Sequence, residues 1–202
     1  MRISPLLVAL VLPAGLNAQA RHSVYLRAGA SWSSDLVTDK IVSDNITVQP
    51  DVAPAILVGG QIEAFPRYNV DLEAQFTSGS YSAATSGRGT TDLATLRTLS
   101  VSVGFNGPLI GPWTRWRASV GFLDYLPREK QGIFLQGGPL DATVGAGLDY
   151  RRPVSSRFDI LVSLRYDYHR FITDELQSQG FSQTQQVHRV GLTIGIATGG
   201  RP

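Results

Sequence analysis

The stretch FDILVSLRYDYHRF, from Phe158 to Phe171, alternates between two kinds of side chain along its length. Because successive side chains of an extended strand point to opposite faces, this period of two predicts a β-strand with one apolar and one polar face. The apolar face would carry Phe158, Ile160, Val162, Leu164, Tyr166 and Tyr168. The other face would carry Asp159, Leu161, Ser163, Arg165, Asp167 and His169. Polar-out packing over a soluble core and polar-in packing against lipid both produce this pattern.

The same alternation recurs in seven other segments, each about the length that a tilted membrane-spanning strand requires. These segments are residues 23–32, 54–65, 70–79, 92–105, 113–126, 140–150 and 185–197. No convincing helical period and no domain-boundary linker appears in the sequence. The sequence therefore predicts a single all-β domain over residues 21–202.

The predicted connections alternate between long and short. The long ones are residues 33–53, 80–91, 127–139 and 173–184, and the short ones are residues 66–69, 106–112 and 151–156. In outer-membrane barrels the short turns face the periplasm and the long loops face outward. This spacing predicts an eight-stranded antiparallel up-and-down transmembrane β-barrel whose two chain ends both lie in the periplasm.

The first residues, MRISPLLVALVLPAGLNAQA, have the three parts of a secretory signal peptide. Arg2 supplies a positive charge, residues 6–11 are apolar, and Ala18 and Ala20 form a small-residue cleavage site. We therefore expect residues 1–20 to be removed on export. The formal net charge of +2 gives no bulk attraction to nucleic acid, and the absence of cysteine excludes disulfides and thiolate metal sites. No cofactor is expected.

The distribution of charge favours a lipid-facing exterior. The apolar faces of the predicted strands are nearly free of charge, whereas the opposite faces carry both signs. The charged residues of that opposite parity are Arg27, Glu63, Asp71, Glu73, Arg115, Arg117, Asp141, Asp149, Asp159, Arg165, Asp167 and Arg189. Buried charges persist only when they are paired and hydrogen-bonded, and an eight-stranded bore is only about as wide as its side chains. We expect these residues to form a lumen charge network that fills the bore, with Arg165 at its centre.

Two further features support this orientation. Of the 18 basic residues only Lys40 and Lys130 are lysine, and both lie in predicted loops, whereas a water-facing strand surface normally uses lysine freely. Aromatic residues of the apolar parity gather near both strand ends, as in membrane-interface girdles. The predicted periplasmic girdle is Phe105, Trp116, Tyr150 and Phe158, and the predicted outer girdle is Trp32, Phe122, Tyr166 and Tyr168.

Arg97 departs from the pattern, because it is a charged residue with the parity of the lipid face. It precedes Phe105 by eight residues, which places it near the outer edge of the apolar band. We therefore predict that Arg97 reaches the phosphates of lipopolysaccharide.

These patterns resemble those of the small eight-stranded outer-membrane barrels, the family of OmpX and the OmpA transmembrane domain. The resemblance extends over residues 21–202 and implies a bacterial outer-membrane location, contact with outer-membrane lipids and lipopolysaccharide, and delivery by the barrel-assembly machinery. The chain departs from such barrels in one respect. Its last strand ends on Ile196 as the final residue of lipid parity, where these barrels commonly end on an aromatic residue.

The sequence gives no pattern typical of an enzyme. Barrels that deacylate lipid A typically have a His-x-Ser pair on the lipid face. In this sequence none of His22, His169 and His188 is followed by serine two residues later. We expect His169 to form hydrogen bonds in the lumen and His188 to lie near Tyr166 and Tyr168 at the outer rim.

The leading functional hypothesis is a monomeric, non-enzymatic barrel that serves envelope structure or makes contacts through its outer loops. One alternative is a conduit for small hydrophobic solutes, resembling OmpW-type barrels, which would need an apolar lumen or a lateral opening. A second is a soluble periplasmic lipocalin-like binder, in which the apolar face would surround a ligand.

Overall fold

The computed structural model describes residues 22–41, 44–85, 89–129, 132–135, 137–178 and 184–198, so the predicted signal peptide lies outside the described residues. The strands are β1 (His22–Ser33), β2 (Val37–Ile41), β3 (Asp44–Pro50), β4 (Ala53–Phe65), β5 (Tyr68–Thr85), β6 (Gly89–Pro108), β7 (Thr114–Pro127), β8 (Leu140–Pro153), β9 (Phe158–Phe171) and β10 (Gln185–Thr198). A 3-10 helix, Gly132–Phe134, and a short helix α1, Asp174–Ser178, lie in the connections. Among the described residues, no helix has the length and apolarity needed to span a membrane.

Eight of the strands close into a ring. Each strand pairs with its sequence neighbour in the order β4, β5, β6, β7, β8, β9 and β10, and β1 closes the ring by pairing with both β10 and β4. Every pairing is antiparallel. The predicted eight-stranded up-and-down barrel is therefore confirmed. The short β4–β5, β6–β7 and β8–β9 turns lie at one end of the barrel, which we call the turn end. We call the opposite end the loop end.

The structure corrects two of the predicted loops at the loop end. Residues 33–53 were expected to be a loop but contain β2 and β3, and β3 pairs with the last residues of β5. Residues 80–91 were also expected to be a loop, but β5 continues to Thr85 and β6 begins at Gly89. The apolar residues of these segments are few and lie among serine, threonine, glycine and acidic residues, so their alternation is shorter and weaker than that of the other strands.

The two faces of the ring differ sharply in polarity. Outward side chains include Phe122 and Ile194, each 60% exposed, and β8 alternates between exposed and half-buried residues over its whole length. Inward side chains include buried Arg27, Glu73 and Arg165. The exterior is thus apolar and the interior charged, which is the opposite of what the lipocalin-like alternative requires.

A cluster of buried hydrophobic residues lies at the loop end. This loop-end cap consists of Leu36, Val37, Val48, Tyr81, Leu96, Leu123, Tyr125, Phe134, Phe171, Leu176 and Val187. Its centre is aromatic, because the Phe171 ring lies 5.0 Å from the Tyr125 ring and 6.0 Å from the Phe134 ring. Contacts of this kind are packed edge-on, as aromatic pairs prefer. The sequence analysis did not predict this cap.

Candidate functional site

Glu73 of β5 lies at the centre of the lumen and accepts hydrogen bonds from three arginines. Arg165 of β9 binds both carboxylate oxygens, with Nη1 2.8 Å from Oε1 and Nη2 2.7 Å from Oε2. Arg117 of β7 approaches Oε2 at 3.2 Å, and Arg27 of β1 donates to the same oxygen. All four side chains are at least nine-tenths buried. Because their strands lie at different positions around the ring, this cluster crosses the whole bore.

Two aspartates complete the central cluster. Asp71 accepts from Arg117 at 2.7 Å and from the Asn106 amide at 3.0 Å. Asp149 accepts from Arg27 at 3.3 Å and from the Ser163 hydroxyl. Arginines and carboxylates therefore alternate across the lumen, which is the arrangement that lets buried charges persist. The structure places Glu73, and not Arg165, at the centre of the cluster.

The small residues of the lumen leave room for these side chains. A Cβ atom built on Gly104 would lie 2.2 Å from the Asp71 carboxylate and 2.8 Å from the Arg117 guanidinium. A Cβ atom on Gly145 would lie 2.3 Å from the carboxylate of Asp167. Such distances are far below van der Waals contact, so any larger residue at either glycine would displace a charged side chain.

At the turn end, the other residues of the predicted lumen charge network bind both charged and uncharged groups. Arg115 donates to the Asn106 amide oxygen at 2.8 Å and to the Arg67 carbonyl at 2.6 Å. Asp159 pairs at 2.6 Å with Arg151, which the sequence analysis had assigned to a turn. Glu63 accepts from the Arg67 backbone amide at 3.0 Å.

Towards the loop end, Arg189 is buried and donates to the Thr98 hydroxyl at 3.2 Å. Thr98 in turn lies 2.6 Å from the Thr77 hydroxyl. Asp141 and Asp167 are half-buried on the same inner face, outside the Glu73 cluster. Arg189, Asp141 and Asp167 thus lie on the loop-end side of the Glu73 cluster and are not hydrogen-bonded to it in the described residues.

The cavities that the network leaves are small. One of about 30 Å³ is lined by Ser33, Thr98 and Arg189 among others, one of about 20 Å³ by Tyr25, Arg27 and Asp149 among others, and one of about 10 Å³ lies beside His169. A cavity of this size has room for only one or a few water molecules.

The two histidines of the later strands lie where the sequence analysis expected them. His169 is buried beneath the loop-end cap, and its Nε2 lies 2.7 Å from the Tyr125 hydroxyl. His188 is exposed on the outer face, with Nδ1 2.6 Å from the Tyr166 hydroxyl and its ring 5.5 Å from that of Tyr168. Within the described ranges no group of three or more His, Cys, Asp or Glu side chains could hold a metal ion.

The residues of the predicted girdles lie on the outer surface at both ends. At the turn end the Phe105 ring stacks on Tyr68 at 5.7 Å and lies 5.9 Å from Trp116. Tyr150 and Phe158 are exposed at the same end, and Trp32, Phe122 and Tyr166 are exposed nearer the loop end. Arg97 is exposed on β6, opposite Ser78 of β5 and Leu126 of β7.

Several residues that the geometry places in or near the site were not predicted from the sequence. Tyr25 donates its hydroxyl to Glu73 at 3.0 Å, and Asn106 joins Asp71 to Arg115. Tyr25 has lumen parity within its predicted strand but carries no charge, so the charge pattern did not select it, whereas Asn106 was placed in the predicted connection 106–112 and lies in β6 in the structure. Arg152 is a third omission, because it is exposed on the lipid-facing side of β8.

No protein-family model matches the chain, and no curated protein matches it. Among solved structures, the fold is similar to that of Neisserial surface protein A, with a TM-score of 0.58 and 9% identity over 89% of this chain and 97% of that one. It is also similar to the outer membrane protein OprG from Pseudomonas aeruginosa, with a TM-score of 0.51 and 13% identity over 87% of this chain and 94% of that one. At such low identity the likeness concerns the fold alone, and it agrees with the predicted outer-membrane location. The chain therefore has the fold of the small eight-stranded outer-membrane β-barrels.

Proposed function

We propose that this protein is a monomeric, non-enzymatic barrel of the bacterial outer membrane that serves envelope structure or makes surface contacts through its loop end. The observation that carries the proposal is the Glu73 cluster, which crosses a bore whose outer wall is apolar. Such a molecule has a closed interior and a lipid-facing exterior. Its distinctive surface is therefore the loop end, where β2, β3, β5 and β6 extend the wall.

The apolar exterior supports the membrane location on energetic grounds. Burial of apolar surface is worth roughly 25 cal/mol per Å², and soluble monomers rarely expose apolar patches larger than a few hundred Å². Here large apolar side chains are exposed on every strand of the ring, from Val24 on β1 to Ile196 on β10. A bilayer removes that penalty, and strand pairing around the closed ring satisfies the backbone groups that lipid cannot.

A conduit for small hydrophobic solutes is the competing function. Such a route would need an apolar path along the bore or out through the wall. Arg27, Arg117 and Arg165 would instead present guanidinium groups to any solute in the middle of the bore. This arrangement supports a closed barrel, and a conductance measurement described in the Discussion separates the two functions.

Assembly is expected to follow the route of other barrels of this fold, through the barrel-assembly machinery. We expect the purified protein to be a monomer that migrates differently on SDS gels before and after boiling. Eight paired strands leave no free edge in the ring, so SDS must break the ring cooperatively before the chain unfolds. Identical mobility of the detergent-folded protein with and without boiling would contradict this expectation. Release with the periplasmic fraction in the absence of detergent would contradict the membrane location itself.

We also propose that Arg97 binds phosphate groups of lipopolysaccharide. Replacing Arg97 with alanine should weaken the binding of lipopolysaccharide to the detergent-folded protein about fivefold, equivalent to about 1 kcal/mol for one charge-assisted contact at an exposed site. Titration with fluorescent lipopolysaccharide measures the change. Arg97→Lys is the matched control, because it keeps a positive charge at the same exposed position and should retain most of the affinity. If the wild type and Arg97→Ala bound lipopolysaccharide with equal affinity, Arg97 would not be a lipopolysaccharide contact.

A further inference from the structure

The turn end of the barrel is basic as well as apolar. Its three turns, residues 65–68, 109–113 and 154–157, contain the exposed arginines Arg67 and Arg157 and no aspartate or glutamate. They also expose large apolar side chains, with Phe65 at 64% and Ile110 at 74%. Apolar side chains in the turns indicate that this end of the barrel reaches into the membrane interface and not far beyond it.

Arg152 lies next to these turns, near the end of β8. It lies on β8 opposite Ile160 of β9, and its side chain is exposed on the face that carries Tyr150 and Val154. The side chain of Arg152 makes no hydrogen bond and no ion pair with the described residues. Arg151, by contrast, has the opposite parity and is paired with Asp159 at 2.6 Å. Arg152 is thus a cation on the lipid-facing wall without an anion from the described part of the chain.

The height of Arg152 on the wall indicates which anion it meets. It is two residues nearer the turn end than Tyr150, which corresponds to about 5 Å along the barrel axis for a strand tilted by about 45°. Aromatic girdle residues lie at the level of the lipid headgroups. Trp113 and Phe158 are exposed nearby, and the Arg151 backbone amide donates to the Trp113 carbonyl at 2.8 Å. The guanidinium therefore lies at the depth of phosphate groups and is bordered by apolar and aromatic side chains.

We propose that Arg152, supported by Arg157 of the adjoining β8–β9 turn, forms a binding site for the phosphate of an anionic glycerophospholipid in the leaflet at the turn end. This inference rests on the proposed membrane location. Charge complementarity favours an anionic headgroup, and the continuity of the site with the apolar wall favours a lipid over an acidic protein segment. An arginine fork binds phosphate bidentately, which would hold one lipid at this position of the wall.

Quenching of tryptophan fluorescence by brominated lipids tests the proposal. The chain has three tryptophans, so the double replacement Trp32→Phe and Trp116→Phe leaves Trp113, near Arg152, as the single reporter. This protein is reconstituted into phosphatidylcholine vesicles that contain either brominated phosphatidylcholine or brominated phosphatidylglycerol. We expect Trp113 to show about a fivefold preference for phosphatidylglycerol, as one charge-assisted contact would give. Arg152→Gln in the same background should reduce this preference to near one, and Arg97→Gln at the other end should leave it unchanged.

The outcomes of this experiment are distinct. A preference that Arg152→Gln does not alter would overturn the assignment of the site to Arg152. A preference of one in the parent protein, together with normal quenching by brominated phosphatidylcholine, would overturn the lipid site and leave a protein as the partner of the basic turn end. Absence of quenching by either lipid would show that the protein does not insert, and so would overturn the proposed function from which this inference starts.

Discussion

Replacing Glu73 with glutamine should lower the free energy of unfolding by about 3–5 kcal/mol, the usual cost of removing one partner from a buried ion pair. Glutamine has nearly the same volume as glutamate, so packing is conserved. It lacks the negative charge, however, and Arg27, Arg117 and Arg165 would then share only the neighbouring aspartates. The destabilisation therefore arises from buried arginines that are left without sufficient counter-charge.

Urea unfolding of the detergent-folded protein, followed by tryptophan fluorescence, measures this effect. Asp92→Asn is the matched control, because it is the same kind of change at an exposed carboxylate near the start of β6. We expect the control to change stability by no more than about 0.5 kcal/mol. If Glu73→Gln also stayed below about 1 kcal/mol, the cluster would not be the element that stabilises the lumen.

A double-mutant cycle separates the pairwise contact from the rest of the cluster. Arg165→Ala should also destabilise the barrel, because it leaves both oxygens of Glu73 with fewer donors. Residues in one ion-pair network couple, so the combined replacement should cost less than the sum of the two single ones. Strict additivity would mean that the two side chains act independently despite their bidentate geometry.

The wall of the barrel could be predicted from the sequence because most of its outward residues follow one rule, the alternation of apolar and polar side chains, with Arg97 and Arg152 as exceptions. Period-two alternation identified the strands, and the predicted segment 140–150 differs from Leu140–Pro153 of β8 only at its end. The alternation also assigned Arg27, Glu73, Arg117 and Arg165 to the inner face, and the structure buries all four. Strand periodicity encodes the face on which a side chain lies, and this information is local.

The pairing within the lumen could not be predicted in the same way. Glu73 meets residues of β1, β7 and β9, and their relative heights depend on the stagger of strands around the closed ring. Parity contains no information on that stagger. The assignment of Arg165 as the centre rested on its position midway along its own strand, whereas the centre belongs to the carboxylate that the most guanidinium groups can reach.

The loop-end cap was missed for a different reason. Leu36, Phe134 and Leu176 come from connections between strands and appear in the sequence as isolated apolar residues among polar ones. An isolated apolar residue in a loop has no period, so its burial becomes visible only when the strands bring the loops together. The outer hairpin of β2 and β3 was missed for a related reason, since its apolar residues form only short runs that contain acidic residues of the same parity.

The loop-end cap and the Glu73 cluster lie one after the other along the bore. A closed barrel and a conduit therefore differ in the ion conductance that we expect. In planar lipid bilayers the wild-type protein should show no steady ion conductance. An ion that enters from the loop end must first pass the apolar cap, and then a cluster in which each arginine already has a carboxylate partner. An eight-stranded bore leaves no path beside such side chains.

Removing one of these two barriers should not open the bore. Phe171→Ala would delete the ring that contacts Tyr125 and Phe134 and loosen the cap, but it leaves the Glu73 cluster intact. We therefore expect this variant to remain silent in the same recordings, with the heat-dependent gel mobility of the reconstituted protein as the control for folding and insertion. Steady conductance of the variant alone would mean that the cap is the single barrier and that the Glu73 cluster lets ions pass. Steady conductance of the wild type would refute the closed lumen and make the conduit the better account of this protein, because no arrangement of paired charges across the whole bore is compatible with a permanently open path.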